Sequence, residues 1–256
     1  MPRVRSAARQ FVDPSEQPSH FRDFRLGVLP KAVLAEGAPA LDVCTLSGAA
    51  TFVGSSVGDT YLELQQGAQI ALAFPELGER TSVQSYTFTL DVRVDLTDEL
   101  PVPLLAGLLA LGPRGDLTAV AQVAHEIEQP PRSPGRDQPI ARMLSSRWHR
   151  LVLSVAAERT PGNVSVYVDG KPAAEWRLTG ELLSAWRFRP SEPVVIRAGR
   201  SDHSLQVRLF DVLPFALDAS AVLKREAFMK AFIEGVRAHQ LASEPLSLAH
   251  DLAQSP

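Results

Sequence analysis

Apolar and polar residues alternate through much of the middle of the chain. From Thr87 to Leu96, Phe88, Leu90, Val92, Val94 and Leu96 fall on one side, and Thr87, Thr89, Asp91, Arg93 and Asp95 on the other. Successive side chains of a strand point to opposite faces, so this segment predicts a half-solvated antiparallel strand over a core. Residues 118–128 alternate again, with Ala119, Ala121, Val123 and Ile127 on one face. Leu151 to Val155 is an apolar run, as a central strand of a sandwich needs. Val164, Val166 and Val168 alternate with Ser165 and Tyr167, and Asp169-Gly170 then supplies a hairpin turn. Val194-Val195-Ile196 and residues 205–212 add two further strands. Many short strands separated by turns predict an all-β sandwich of two antiparallel sheets.

The ends of the chain break this pattern. Pro14, Pro18, Pro30 and Pro39 interrupt residues 1–40, which predicts an irregular, extended N-terminal arm. Residues 129–139 hold Pro130, Pro131, Pro134 and Pro139 without apolar periodicity and predict a solvated loop. From Asp218 onward the period changes: Val222, Met229, Phe232, Ile233 and Val236 recur near helical spacing, with Lys224, Arg225, Glu226 and Lys230 off that stripe. This is an amphipathic helix, with Asp218 or Ser220 as its cap. The expected organisation is an arm over 1–40, a sandwich over 41–218 and a C-terminal helical extension over 219–256.

With this order of elements in view, the motifs resemble those of the laminin-G-like domains of the concanavalin A-like lectin/glucanase superfamily. Gly58-Asp59-Thr60-Tyr61-Leu62-Glu63-Leu64 is similar to the early strand of such domains, and Tyr86-Thr87-Phe88-Thr89-Leu90 to the strand that follows. Trp148-His149-Arg150-Leu151-Val152-Leu153 followed by Val166-Tyr167-Val168-Asp169-Gly170-Lys171 carries the strongest likeness. Leu209-Phe210-Asp211-Val212 with Ala216-Leu217-Asp218 resembles the closing strand. The resemblance covers about 42–225 and implies a jelly-roll sandwich. Folds of this kind host many functions, so it names no ligand.

Composition narrows the function classes. At 45% apolar and 21% charged residues over 256 positions, the chain is ordinary globular material rather than disordered or multi-span membrane protein. Its longest apolar run, Val102 to Leu111, is interrupted by Pro103 and Gly107 and is too short to span a bilayer as a helix. The net charge is −3, with thirteen acidic against three basic side chains in 36–128 and thirteen basic against seven acidic in 129–210. No domain is basic enough to argue for nucleic acid. The single cysteine, Cys44, sits among apolar neighbours and reads as a small buried hydrophobe. A lone cysteine and no apolar leader after the basic N-terminus lead to the expectation of an intracellular protein, cytoplasmic or organellar; the Arg- and Ser-bearing start makes mitochondria one option. The sequon Asn163-Val164-Ser165 matters only in a secreted chain.

Catalytic constellations are weak. Glycosidic hydrolysis needs two carboxyls flanking the bond. Glu126 and Glu128 share a strand face, but the superfamily's Glu-x-Asp-x-x-Glu pattern is broken at Glu128 and Pro131. His125 and His149 lie on apolar faces and read as structural histidines. No cofactor is implied. Calcium is an option the resemblance offers, with Asp59, Asp116 and Asp202 as loop carboxylates. Two features point to binding instead. Trp186-Arg187-Phe188-Arg189 interleaves rings with guanidinium groups and reads either as a stacking platform or as a sandwich edge with both rings buried and both arginines solvated. The stripe Val222, Met229, Phe232, Ile233, Val236 reads either as a helix docked on its own sandwich or as one offered to a partner. The expectation is a non-catalytic protein-interaction or scaffold module in a larger intracellular assembly. The alternative is a carbohydrate-binding, lectin-like module, with a glycoside hydrolase ranking last.

Overall fold

The computed structural model describes residues 20–32, 41–54, 59–78, 83–95, 102–104, 108–112, 114, 115–119, 139–158, 161–178, 186–199 and 204–231. Seventeen strands run through these residues. In chain order they are β1 (His20–Asp23), β2 (Lys31–Ala32), β3 (Leu41–Asp42), β4 (Cys44–Ser47), β5 (Ala50–Val53), β6 (Tyr61–Leu64), β7 (Gln69–Leu72), β8 (Ser85–Val94) and β9 (Val102–Leu104). There follow β10 (Leu109–Leu111), β11 (Asp116–Ala119), β12 (Ala141–Arg142), β13 (His149–Ala156), β14 (Gly162–Val168), β15 (Lys171–Leu178), β16 (Val194–Arg197) and β17 (Leu205–Leu213). One helix, α1, occupies 219–231 of the described residues.

The main layer is an eight-stranded antiparallel sheet ordered β15-β14-β13-β8-β17-β6-β5, with β1 also paired to β17. A three-stranded sheet, β16-β7-β4, and a four-stranded one, β12-β11-β10-β9, supply the second layer. The fold is the all-β sandwich with a C-terminal helix that the alternation predicts. Leu151 pairs with Leu90 and Val168, Leu153 with Phe88 and Val166, and Val155 with Tyr86 and Val164, so one apolar row crosses three strands. These rows meet Ile70, Leu72, Leu104, Leu117 and Ile196 of the smaller sheets in one buried cluster. The other phase of each central strand faces outward: Thr87, Thr89 and Asp91 on β8, Val152 and Ser154 on β13, Ser165 and Tyr167 on β14.

The hairpin between β14 and β15 forms at Asp169-Gly170, both with positive φ (50° and 75°), as the tight turn requires. Part of the expected arm is built into the sheet. His20–Asp23 is β1, antiparallel to β17, with Arg22 opposite Phe210. Arg22 is buried, its guanidinium 4.2 Å from the centre of the Phe74 ring and 2.7 Å from Glu76 Oε1. The eleven residues between Pro18 and Pro30 leave room for this four-residue strand. Residues 1–19 and 33–40 of the arm lie outside the described residues.

Candidate binding cleft

The outward face of the large sheet is partly covered by α1 and the segment leading into it. Thr87 and Ser154 stand side by side on β8 and β13, and both are buried. The Thr87 hydroxyl donates to the Phe215 carbonyl (3.0 Å), and that of Ser154 to the Leu217 carbonyl (2.8 Å). The Leu217 N–H donates back to Ser154 Oγ (2.9 Å) and Thr87 Oγ1 (3.1 Å). Two hydroxyls thus satisfy a non-repetitive backbone that would otherwise lose its water unpaired. Asp218 then caps α1, its Oδ1 accepting the Ala221 N–H at 2.8 Å. Val222 joins Leu217, Leu213, Val152 and Tyr167 in a small apolar cluster of its own, separate from the main core. Arg225 is buried as well and lies 3.6 Å from Asp211.

Beside this segment the sheet is left uncovered, and a cleft of about 640 Å³ opens there. Its floor is Ser154 and Ala156 of β13 with Asn163, Ser165 and Tyr167 of β14. One side is the β15 edge from Pro172 to Glu175, and the other is 216–219 at the start of α1. The recess exists because the outward residues there are small, apart from Tyr167, which is 4% exposed. The Asn163 amide donates to Glu175 Oε1 (2.7 Å) and Ser165 Oγ (3.4 Å). Its Oδ1 is buried and accepts no hydrogen bond. Burial pushes the Tyr167 phenol up, a hydrogen bond with Ser165 opposes this, and the carboxylates of Glu175 and Asp218 raise it further. The cleft therefore offers hydroxyls, an amide and rim carboxylates, with small apolar side chains between them. Polar groups set among small apolar side chains are the usual lining of a small-ligand pocket.

At Trp186-Arg187-Phe188-Arg189 both rings are turned into the sandwich. Trp186 is 1% exposed and Phe188 6%, while Arg187 and Arg189 are exposed. Phe188 is drawn inward by a two-way backbone pairing with Val83 (2.7 and 3.1 Å). Its ring then packs edge-on against Phe88 at 5.1 Å and Phe74 at 6.2 Å. The segment is the buried edge, the second of its two expected readings, with Arg189 paired to Glu192 at 3.0 Å. The two described residues of the five-residue helix stripe, Val222 and Met229, are also buried, and Val222 packs on the chain's own sheet. For Val222 this is the self-docked of the two readings, over an apolar patch of Leu213, Leu217 and Val152. Phe232, Ile233 and Val236 lie outside the described residues, as do Glu126, Glu128, His125 and Asp202.

His149 is a structural histidine, as expected. Its Nε2 accepts the Leu144 N–H at 2.8 Å, which leaves Nδ1–H to donate to Asp169 Oδ2 at 2.8 Å. Cys44 is buried, and burial pushes its thiol up to about 12, far from a nucleophile's range. Among the described residues, no group of three or more His, Cys, Asp or Glu side chains gathers as for a metal ion. Also among them, no helix is long and apolar enough to cross a membrane. The cleft residues Asn163, Ser165, Glu175 and Asp218 were not singled out as a site by sequence. The signal was there in part: Asn163, Ser165 and Tyr167 are the polar phase of the Val164, Val166, Val168 alternation.

No family model matches the chain, and no curated protein matches it. Among solved structures it is similar to the binding domain of Paraclostridial Mosquitocidal Protein 1, with a TM-score of 0.47 and 13% identity over 73% of this chain and 49% of that one. It is also similar to a botulinum neurotoxin type C structure described by its interaction with two ganglioside molecules (TM-score 0.46, 12% identity, 72% of this chain and 46% of that one). The binding domain of botulinum neurotoxin serotype G gives 0.45 and 10% over 70% and 45%. The chain spans about half the length of these structures.

Proposed function

We propose that the protein is a non-catalytic binding module whose cleft holds a carbohydrate. One observation carries this reading: an open cleft of about 640 Å³ lined by the polar side chains of Asn163, Ser165, Tyr167 and Glu175 together with small apolar residues. Sugar hydroxyls supply donors to Asn163 and Glu175, and sugar C–H groups rest on the alanine methyls. The volume is that of a small-ligand site.

The test is a melting-temperature screen over neutral mono- and oligosaccharides, repeated on Ser165→Trp, which fills the cleft from its floor. A bound sugar stabilises the folded state by about 2.7 kcal/mol at a hundred times its Kd. The expected result is a concentration-dependent rise for at least one glycan that Ser165→Trp abolishes. No rise across the panel, or an equal rise in the variant, overturns the reading.

A second reading, a protein-interaction or scaffold module in an intracellular assembly, draws on the outer side of α1, where Leu223 is 57% exposed and Phe228 38%. Its mark is recovery of the protein in a particle of fixed composition that a Leu223→Asp, Phe228→Asp double variant releases.

A further inference from the structure

The outward face carries a second constellation, at the opposite end of β8 from Thr87. Six residues separate Thr87 from Arg93, or about 20 Å along the strand, so this place is distinct from the cleft. Trp148, just before β13, meets Tyr61 of β6 edge to face, with ring centres 5.6 Å apart. Two guanidinium groups lie against these rings. Arg208 of β17 sits 4.1 Å from the Trp148 ring centre, and Arg93 of β8 lies 5.0 Å from Tyr61 and 5.4 Å from Trp148. Both rings and both arginines are half-buried.

The two arginines differ in how they are satisfied. Arg93 is locked, donating to Gln206 Oε1 and to the Tyr61 hydroxyl at 3.1 Å. Gln206 is held in turn by its amide on Glu63 Oε1 at 2.9 Å. Arg208 has its Nε buried without any hydrogen-bond partner. Two of the nearby acids are engaged elsewhere. Asp91 gives both oxygens to Arg150, at 2.6 and 2.7 Å. Glu63 is engaged by Gln206 and by the Ser204 hydroxyl, 2.7 Å away. Burial lowers the Arg208 pKa, Asp59 and Asp91 act against that, and the charges of Arg25 and Arg93 lower it further.

We propose that Arg208 and Arg93, backed by Trp148 and Tyr61, form a binding site for an oxyanion: a carboxylate, sulfate or phosphate group. A planar guanidinium presents paired donors that match such a group, and charge-assisted bonds of this kind are about twice as strong as neutral ones. The ring contacts hold the arginines in place beforehand, so little side-chain freedom is lost on binding.

The experiment follows the arginine Nε–H and indole N–H signals of the full-length ¹⁵N-labelled protein. Sodium sulfate, phosphate and glucuronate are titrated against sodium chloride at matched ionic strength. Arg208→Lys assigns the Arg208 signal by its loss and keeps the charge while removing the fork. At least one oxyanion is expected to give a saturable shift of the Arg208 and Trp148 signals with a midpoint on the order of 1 mM. The anion that saturates lowest names the class. The Trp148 response is expected to weaken at least tenfold in Arg208→Lys and to vanish in Arg208→Gln, with melting temperatures recorded for both. If Arg208→Gln does not fold, Arg208→Lys decides. A linear drift that chloride reproduces for all three anions, or an unchanged midpoint in the lysine variant, overturns the proposal.

Discussion

Ser154 and Thr87 do more for this molecule than their size suggests. Each is a small polar residue in an otherwise apolar environment, and each satisfies backbone groups of 215–217 that have no other partner in the strand ladder. Ser154→Ala leaves the Leu217 carbonyl without its donor while Thr87 still serves the N–H. A loss of about 1–3 kcal/mol in urea unfolding is expected, as for a buried group left unsatisfied; a change within experimental error would show that 215–217 is not held from below. Glu226 is a second informative residue. Burial raises its carboxyl pKa, Arg150 opposes this, and the Asp169 and Asp91 charges raise it further. The folded state therefore binds this proton more tightly than the unfolded chain. The associated stability is full below the unfolded-state value and is lost as the pH rises through the folded-state value. Glu226→Gln is expected to melt above the wild type at pH 7 and level with it near pH 3; a lower melting temperature at pH 7 would mean that the attraction to Arg150 dominates.

At the scale of elements, the strands with strict alternation were legible because a period of two leaves one way to bury β8, β13 and β14. The Asp169-Gly170 turn was legible because so few residue pairs adopt positive φ together. The Trp186–Phe188 segment was ambiguous, since a ring beside an arginine looks the same whether it faces solvent or core. A long-range pairing with Val83 decides it, and nothing local encodes that partner. The helix was legible by its period, but the surface it covers was not. Its cluster of Val152, Tyr167, Leu213, Leu217 and Val222 is separate from the sandwich core. Val222→Asp is thus expected to release α1 without unfolding the sheets. Hydrogen exchange should quicken in 219–231 while the amides of β8, β13 and β17 keep their protection. Loss of protection throughout would show that α1 and the sandwich fold as one unit.

For the whole molecule, the sandwich leaves one broad outward face, and α1 divides it. On one side small polar residues leave a cleft, and on the other two arginines lie against two rings. Neither place was visible as a cluster in the sequence. Asn163 and Asp218 are brought together by strand order and by the fixing of 215–217, and Tyr61, Arg93, Trp148 and Arg208 come from four separate elements. The most direct test of the binding reading is amide chemical-shift mapping with the glycan that most raises the melting temperature. The largest changes should centre on 154–156, 163–167, 172–175 and 216–219, the residues around the cleft. Changes centred elsewhere on the molecule, or no glycan that binds at all, would contradict the assignment of this cleft as a carbohydrate site.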